Sequence, residues 1–145
     1  MDAWKLGFEI AKKIYALTES FPATERYNLT SQLRRSASSI PANIAEGFGR
    51  HTPKDYLQFL IYARGSIAET QSHIRLSFEL KLLENDDEKA IIALCERARQ
   101  TLQGLIRYVR SKTGLSYDNL ISEGLIEYNA NVLGNNDLHD TIDDL

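Results

Sequence analysis

Residues Gln32 to Arg50, QLRRSASSIPANIAEGFGR, restrict the fold more than any other stretch of the chain. Placed on a helix at about 100° per residue, Leu29, Leu33, Ala37, Ile40, Ile44 and Phe48 fall within one arc of about 100°. Arg35, Ser39, Asn43 and Glu46 fall together on a second flank. Pro41 sits between the two halves, removes a backbone donor and crowds the carbonyl of Ala37, so a kink is expected there. Ser36, Ser38 and Ser39 are placed to hydrogen-bond the freed carbonyl. Gly47 and Gly49 are expected to stop the helix in the left-handed conformation. Thr24, followed by an acid, reads as its N-cap, giving a helix over residues 24–48.

Three more stretches share this three-to-four spacing. The first, over 2–19, carries two apolar rows side by side: Trp4, Phe8, Ala11 and Tyr15, then Leu6, Ile10, Ile14 and Leu17. Together they cover an arc of about 200°, roughly twice what one buried face needs. Another helix, over 53–81, opens with Thr52 as cap and Pro53 at its first position. Its core row reads Tyr56, Leu60, Ala63, Ile67, Ile74 and Phe78, and the segment from Tyr56 to Ala63 is apolar nearly all round. Gly65-Ser66 in its middle suggests a close helix approach. The last helix, over 86–112, has the row Ile91, Cys95, Ala98, Leu102, Leu105 and Val109, and Gly114 stops it. The expected fold is all-α: an up-down-up-down antiparallel four-helix bundle over 1–114 with short connections, followed by an acidic tail over 115–145. Ser116 is a candidate cap for a short helix in that tail, and the composition after Asn131 reads as disordered.

Composition adds two constraints. The only cysteine is Cys95, so no disulfide forms within the chain, which suits a reducing cytoplasm. No apolar run approaches the ~18 residues of a membrane span, and the N-terminus lacks a signal-peptide pattern. The net charge of −3 is unevenly spread. Residues 115–145 hold seven acids and no Lys or Arg; residues 1–114 hold all 17 basic residues against the other 13 acids, leaving +4. The tail could therefore lie against basic surface of the body and screen it.

Catalytic chemistry is nearly absent. His51, His73 and His139 share no ligand spacing, and no Glu stands three residues before any of them, as a bundle metal site would want. Cys95 occupies a core row, where a small buried thiol is the ordinary reading. We therefore expect no enzyme, no metal and no cofactor. Gly47 to Lys54 reads either as a plain helix–helix turn or as an anion cradle in which Arg50 and Lys54 add charge to a helix N-terminus. It lacks the Lys-Ser ending of a nucleotide-hydrolysing loop. The stripe Arg35, Ser39, Asn43 and Glu46 reads either as a polar network, completed by Arg64 and Glu69, or as a ligand-facing strip. Arg99, Gln103, Arg107 and Arg110 share a flank of the last helix, which is either a solvated face or a track for phosphates.

The run QLRRSASSIPANIAEGFGR, with WKLGFEIAKKIY before it and YLQFLIYARGSIAE after it, resembles the four-helix-bundle family encoded within intervening sequences of bacterial 23S ribosomal RNA genes. That family is similar in turn to the accessory variability proteins of diversity-generating retroelements. The resemblance covers about residues 3–112 and is most specific from Ser39 to Gly47. It implies an up-down bundle and a ring-shaped homopentamer. It also implies binding of RNA, or of a reverse-transcriptase-like protein, through basic surface. It supplies no catalytic residue. The resulting expectation is a non-catalytic, cytoplasmic, homo-oligomeric accessory bundle with Arg50, Lys54, Arg99, Arg107 and Arg110 as nucleic-acid contacts. The other reading is a structural or protein-interaction module with no nucleic-acid partner.

Overall fold

The computed structural model describes residues 1–114. Four helices carry the fold: α1 (Asp2–Thr18), α2 (Leu29–Phe48), α3 (Pro53–Glu79) and α4 (Asn85–Thr113). There is no strand among the described residues. The expectations for the acidic tail fall on residues 115–145, outside the described part.

Side-chain contacts fix the direction of each helix against the next. Arg34, near the start of α2, meets Thr18 and Glu19 at the end of α1. Gly7 of α1 packs on Ile40 and Pro41, further down α2. Gly47 meets Tyr56 and Phe59, whereas Ser36 meets Thr70. Arg64 reaches Gln103, whereas Arg75 reaches Glu88. Each pair runs antiparallel, and α4 closes the ring by packing on α1. The result is the up-down-up-down bundle that the periodicity predicts. The start of α1, the α2–α3 turn and the end of α4 therefore share one end of the molecule.

The core is formed by Ile10, Ile14, Leu33, Ile40, Ile44, Leu57, Leu60, Ile67, Ile74, Ile91, Leu102 and Ile106, all fully buried. Two rows differ from the sequence reading by one residue. On α3 the inward positions begin at Leu57 and end at Ser77, while Tyr56 and Phe78 are half-buried. On α4 Ile106 is inside and Leu105 is at the edge.

The start of α2 is also corrected. Thr24 lies in a short 3-10 turn over Ala23–Glu25, and the α-helix begins at Leu29. The Glu25 carboxylate accepts the Leu29 N–H at 3.3 Å, doing from the preceding turn what a cap does from the N-cap position. Beyond Pro41, α2 continues as one helix. The nearby serines bond back to the carbonyls of Leu33, Arg35 and Ser36 rather than to that of Ala37. Gly49 ends α2 at φ −79°, so neither glycine there is left-handed; of the described glycines only Gly114, at φ 68°, is. Thr52 caps α3 as expected, its Oγ1 accepting from the Asp55 N–H at 3.1 Å.

Candidate functional site

The polar stripe of α2 divides among different partners. Arg35 pairs with Glu69 of α3, and Glu69 lies 3.4 Å from His73 on its own helix. Ser39 donates to the Ser66 hydroxyl at 3.0 Å, and the Asn43 amide donates to the Ser39 carbonyl at 2.8 Å. Glu46 takes no part in this network: it pairs with Arg50 at 2.6 Å. Arg64 turns away to Gln103 of α4 at 3.1 Å. Arg35, Ser39 and Glu69 thus join α2 to α3, Asn43 stiffens its own helix, and Glu46 and Arg64 serve elsewhere.

The buried part of that junction is a pair of residues that the apolar rows pass over. Thr70 Oγ1 lies 3.0 Å from Ser36 Oγ and 2.8 Å from the Ser66 carbonyl, deep between α2 and α3. The signal was present in the sequence. Ile67 and Ile74 are seven apart, and Thr70 fills the inward position between them. A second unexpected cluster is the clamp around Arg34. Its Nε donates to Thr18 Oγ1 at 2.9 Å, its Nη2 reaches Glu19 at 3.3 Å, and its guanidinium lies over the Tyr15 ring at 4.7 Å. Among the described residues no buried side-chain nitrogen or oxygen lacks a partner. The junction is satisfied from within and offers no aimed donor to a ligand.

The turn from Gly47 to Lys54 has the same inward-looking character. A Cβ on Gly47 would lie 2.8 Å from Phe59 Cβ and 2.9 Å from Tyr56 Cδ2. The glycine is required by helix packing rather than by an anion. Arg50 is held by Glu46 and stacks over the Phe59 ring at 4.5 Å, so an anion would have to compete with a carboxylate already in place. Beside it lies a shallow, open hollow of about 490 Å³ lined by Ala42, Ala45, Glu46, Gly49, Arg50 and His51. Lys54 stands in the first turn of α3.

On α4 the arginine flank is not free of acids. Arg99 holds Glu96 by two hydrogen bonds, Nε to Oε2 at 3.0 Å and Nη2 to Oε1 at 2.5 Å. That hydrogen bonding keeps the Glu96 carboxyl below its ordinary range. Arg107 is exposed on the outer face, and Arg110 is half-buried in the last turn. The structure thus separates the five nominated cations. Arg50 and Lys54 flank the α2–α3 turn, Arg107 and Arg110 sit on the C-terminal half of α4, and Arg99 is engaged locally.

Chemically reactive groups are few. Cys95 is fully buried and burial pushes its thiol up to about 12, so it stays protonated and unreactive. No cluster of His, Cys, Asp and Glu suited to a metal occurs among the described residues. No described helix is long and apolar enough to cross a membrane.

The sequence profile of the 23S rRNA-intervening sequence protein family matches residues 1–104. The chain belongs to this family. The match indicates no catalytic family. A protein of unknown function from the S23 ribosomal protein family of Bacteroides thetaiotaomicron VPI-5482, solved at 1.70 Å, has a similar fold with a TM-score of 0.65. The two are 20% identical, and 72% of this chain corresponds to 97% of that one. No curated protein matches the chain. The family bundle thus accounts for α1 to α3 and most of α4 and leaves residues 105–145 outside its profile.

Proposed function

We propose that the protein is a non-catalytic bundle that assembles with copies of itself through the outer face of α1. The observation that carries this reading is the row Trp4, Phe8 and Tyr15, which stays 37%, 47% and 47% exposed. Trp4 and Phe8 stack at 5.2 Å between ring centroids, and Arg34 of α2 covers Tyr15, so the row follows the α1–α2 edge. Fully burying a large apolar side chain is worth about 1.5–3 kcal/mol, and at these positions, already more than half buried, a lone bundle forgoes less than half of that. A continuous aromatic row of this kind marks an interaction surface, and identical copies give it a self-complementary partner. The family resemblance implies five copies in a ring. Light scattering at micromolar concentration tests the reading. The wild-type chain is expected at a multiple of its 16.5 kDa mass, and Trp4→Ser with Phe8→Ser at the single-chain value. A wild-type chain of single mass throughout that range would overturn it.

A second reading, RNA binding by the assembled surface, is favoured by the C-terminal half of α4. From Arg97 to Lys112 this helix carries five cations and no acid. Residues 1–114 of five copies would together carry +20, set against −35 from the five copies of residues 115–145. Filter binding with a structured RNA is expected to weaken steeply with salt, and Arg107→Ser should lower the salt slope by about 1. Affinity that does not change with salt would remove this reading while leaving self-assembly intact.

A further inference from the structure

The charge order along the chain is abrupt. Residues 97–114 contain Arg97, Arg99, Arg107, Arg110 and Lys112 without an acid, and residues 115–145 contain seven acids without a Lys or Arg. At about 100° per residue, Arg97, Gly104, Arg107, Tyr108 and Lys112 fall on one side of α4. The buried row Ala98, Leu102, Ile106 and Val109 falls on the other. The outward strip is exposed at Arg97, Arg107, Tyr108 and Lys112. A Cβ on Gly104 would meet nothing within 4 Å, so the strip is flat at its centre and open to an approaching chain. It is about 22 Å long, counting the rise from residue 97 to residue 112.

We propose that residues 115–145 lie back along this strip of their own chain, with their acids against Arg97, Arg107 and Lys112. Three observations select that occupant over RNA or a second copy. The segment is longer and carries more acids than the other base-free acidic stretch, residues 82–88 at the start of α4, and it is tethered at the end of the strip it complements. The left-handed φ of 68° at Gly114 ends α4 and turns the chain off the helix axis. The family profile stops at residue 104, so the segment is an addition to the common bundle rather than part of its core. Tethering raises the local concentration of the acids to the millimolar range, where even weak exposed ion pairs are populated. The segment also contains the apolar residues Tyr117, Leu120, Ile121 and Leu125, which an exposed Tyr108 could receive.

Cleavage of the full chain by a Glu-specific protease after Glu123 and Glu127 tests the proposal, with a synthetic 115–145 peptide as the unprotected standard. At low salt the chain is expected to be cut about tenfold more slowly than the peptide, the factor that three exposed ion pairs supply. Raising the salt should bring the two rates together. The triple variant Arg97→Ser, Arg107→Ser and Lys112→Ser should be cut at the peptide's rate at every salt concentration. Protection should not change on dilution, because the contact lies within one chain. Equal rates for chain and peptide at low salt would overturn the proposal. Protection that disappears on dilution would also overturn it, since the segment would then be covering a second copy.

Discussion

A glycine in a helix is either a weakness or a necessity, and this chain holds both kinds. A Cβ on Gly7 would lie 2.8 Å from Ile40 Cγ2 and 3.3 Å from the Pro41 nitrogen, so α1 touches α2 where neither backbone nor β-branched side chain can give way. Gly7→Ala is expected to destabilise the bundle by about 1–3 kcal/mol in urea unfolding. Gly65 is exposed with nothing within 4 Å of its would-be Cβ, so Gly65→Ala should stabilise by about 0.5–1 kcal/mol through helix propensity alone. A neutral Gly7→Ala would mean that the helices separate freely there. Composition shows that a helix contains a glycine but not which way it faces. That is why Gly65 reads as a close approach in sequence while Gly7 and Gly47 hold that role in space. Cys95 was easier, because its place in an apolar row fixes its burial. Its thiol is pushed from an ordinary 9.0 up to about 12 in the fold, so the unfolded chain ionises first as pH rises. The stability it contributes is complete below 9.0 and is lost as the pH climbs toward 12. Cys95→Ala should flatten that alkaline loss in a series of unfolding curves, and an unchanged slope would place its origin in the tyrosines.

For whole elements, the periodicity was a good guide to existence and a poor one to phase. Four helices with apolar rows needed only spacing, and Thr52-Pro53 and Gly114 marked two ends by their own backbone chemistry. The rows on α3 and α4 slipped by one residue because both helices offer neighbouring apolar rows. Residues 56–63 are greasy nearly all round; in the fold Tyr56 and Phe59 lie against Gly47 of α2 and Leu57 is fully buried. The start of α2 was missed because Thr24 is a good cap residue, whereas the work is done by the longer Glu25 side chain from a 3-10 turn. In the candidate site, Glu96 stands one turn before Arg99, on the edge of the arginine flank, and pairs with it at i,i+3. The α2–α3 junction depends on a distance of 34 residues, which no local pattern carries. Its weight can be measured. Thr70→Val leaves Ser36 with only the Leu33 carbonyl, and should cost about 1–2 kcal/mol. Adding Ser36→Ala should return part of that cost, with a coupling energy of about 0.5 kcal/mol or more in a double-mutant cycle. Zero coupling would show that the apolar rows alone hold α2 against α3.

For the molecule as a whole, the question is how a bundle with a complete core leaves an aromatic row wet. The core needs nothing from Trp4, Phe8 or Tyr15: Ile10 and Ile14 are already fully buried one row away. Under the proposed assembly, the exposed part of this row is what copies of the chain would bury against one another. Stability then has two parts, one internal to the bundle and one shared between copies, and only the second depends on concentration. Thermal unfolding separates them. The midpoint of the wild-type chain is expected to rise with protein concentration, since association draws on the folded form alone. Trp4→Ser with Phe8→Ser should give a midpoint that no longer moves with concentration. At high dilution it should fall close to the wild-type value, because both side chains lie outside the core. A double variant that is much less stable than the wild type at every concentration would reassign the row to the internal part. The aromatic face would then be a support for α1 on α2, with the Arg34 clamp as its polar edge, and the case for assembly would have to rest elsewhere.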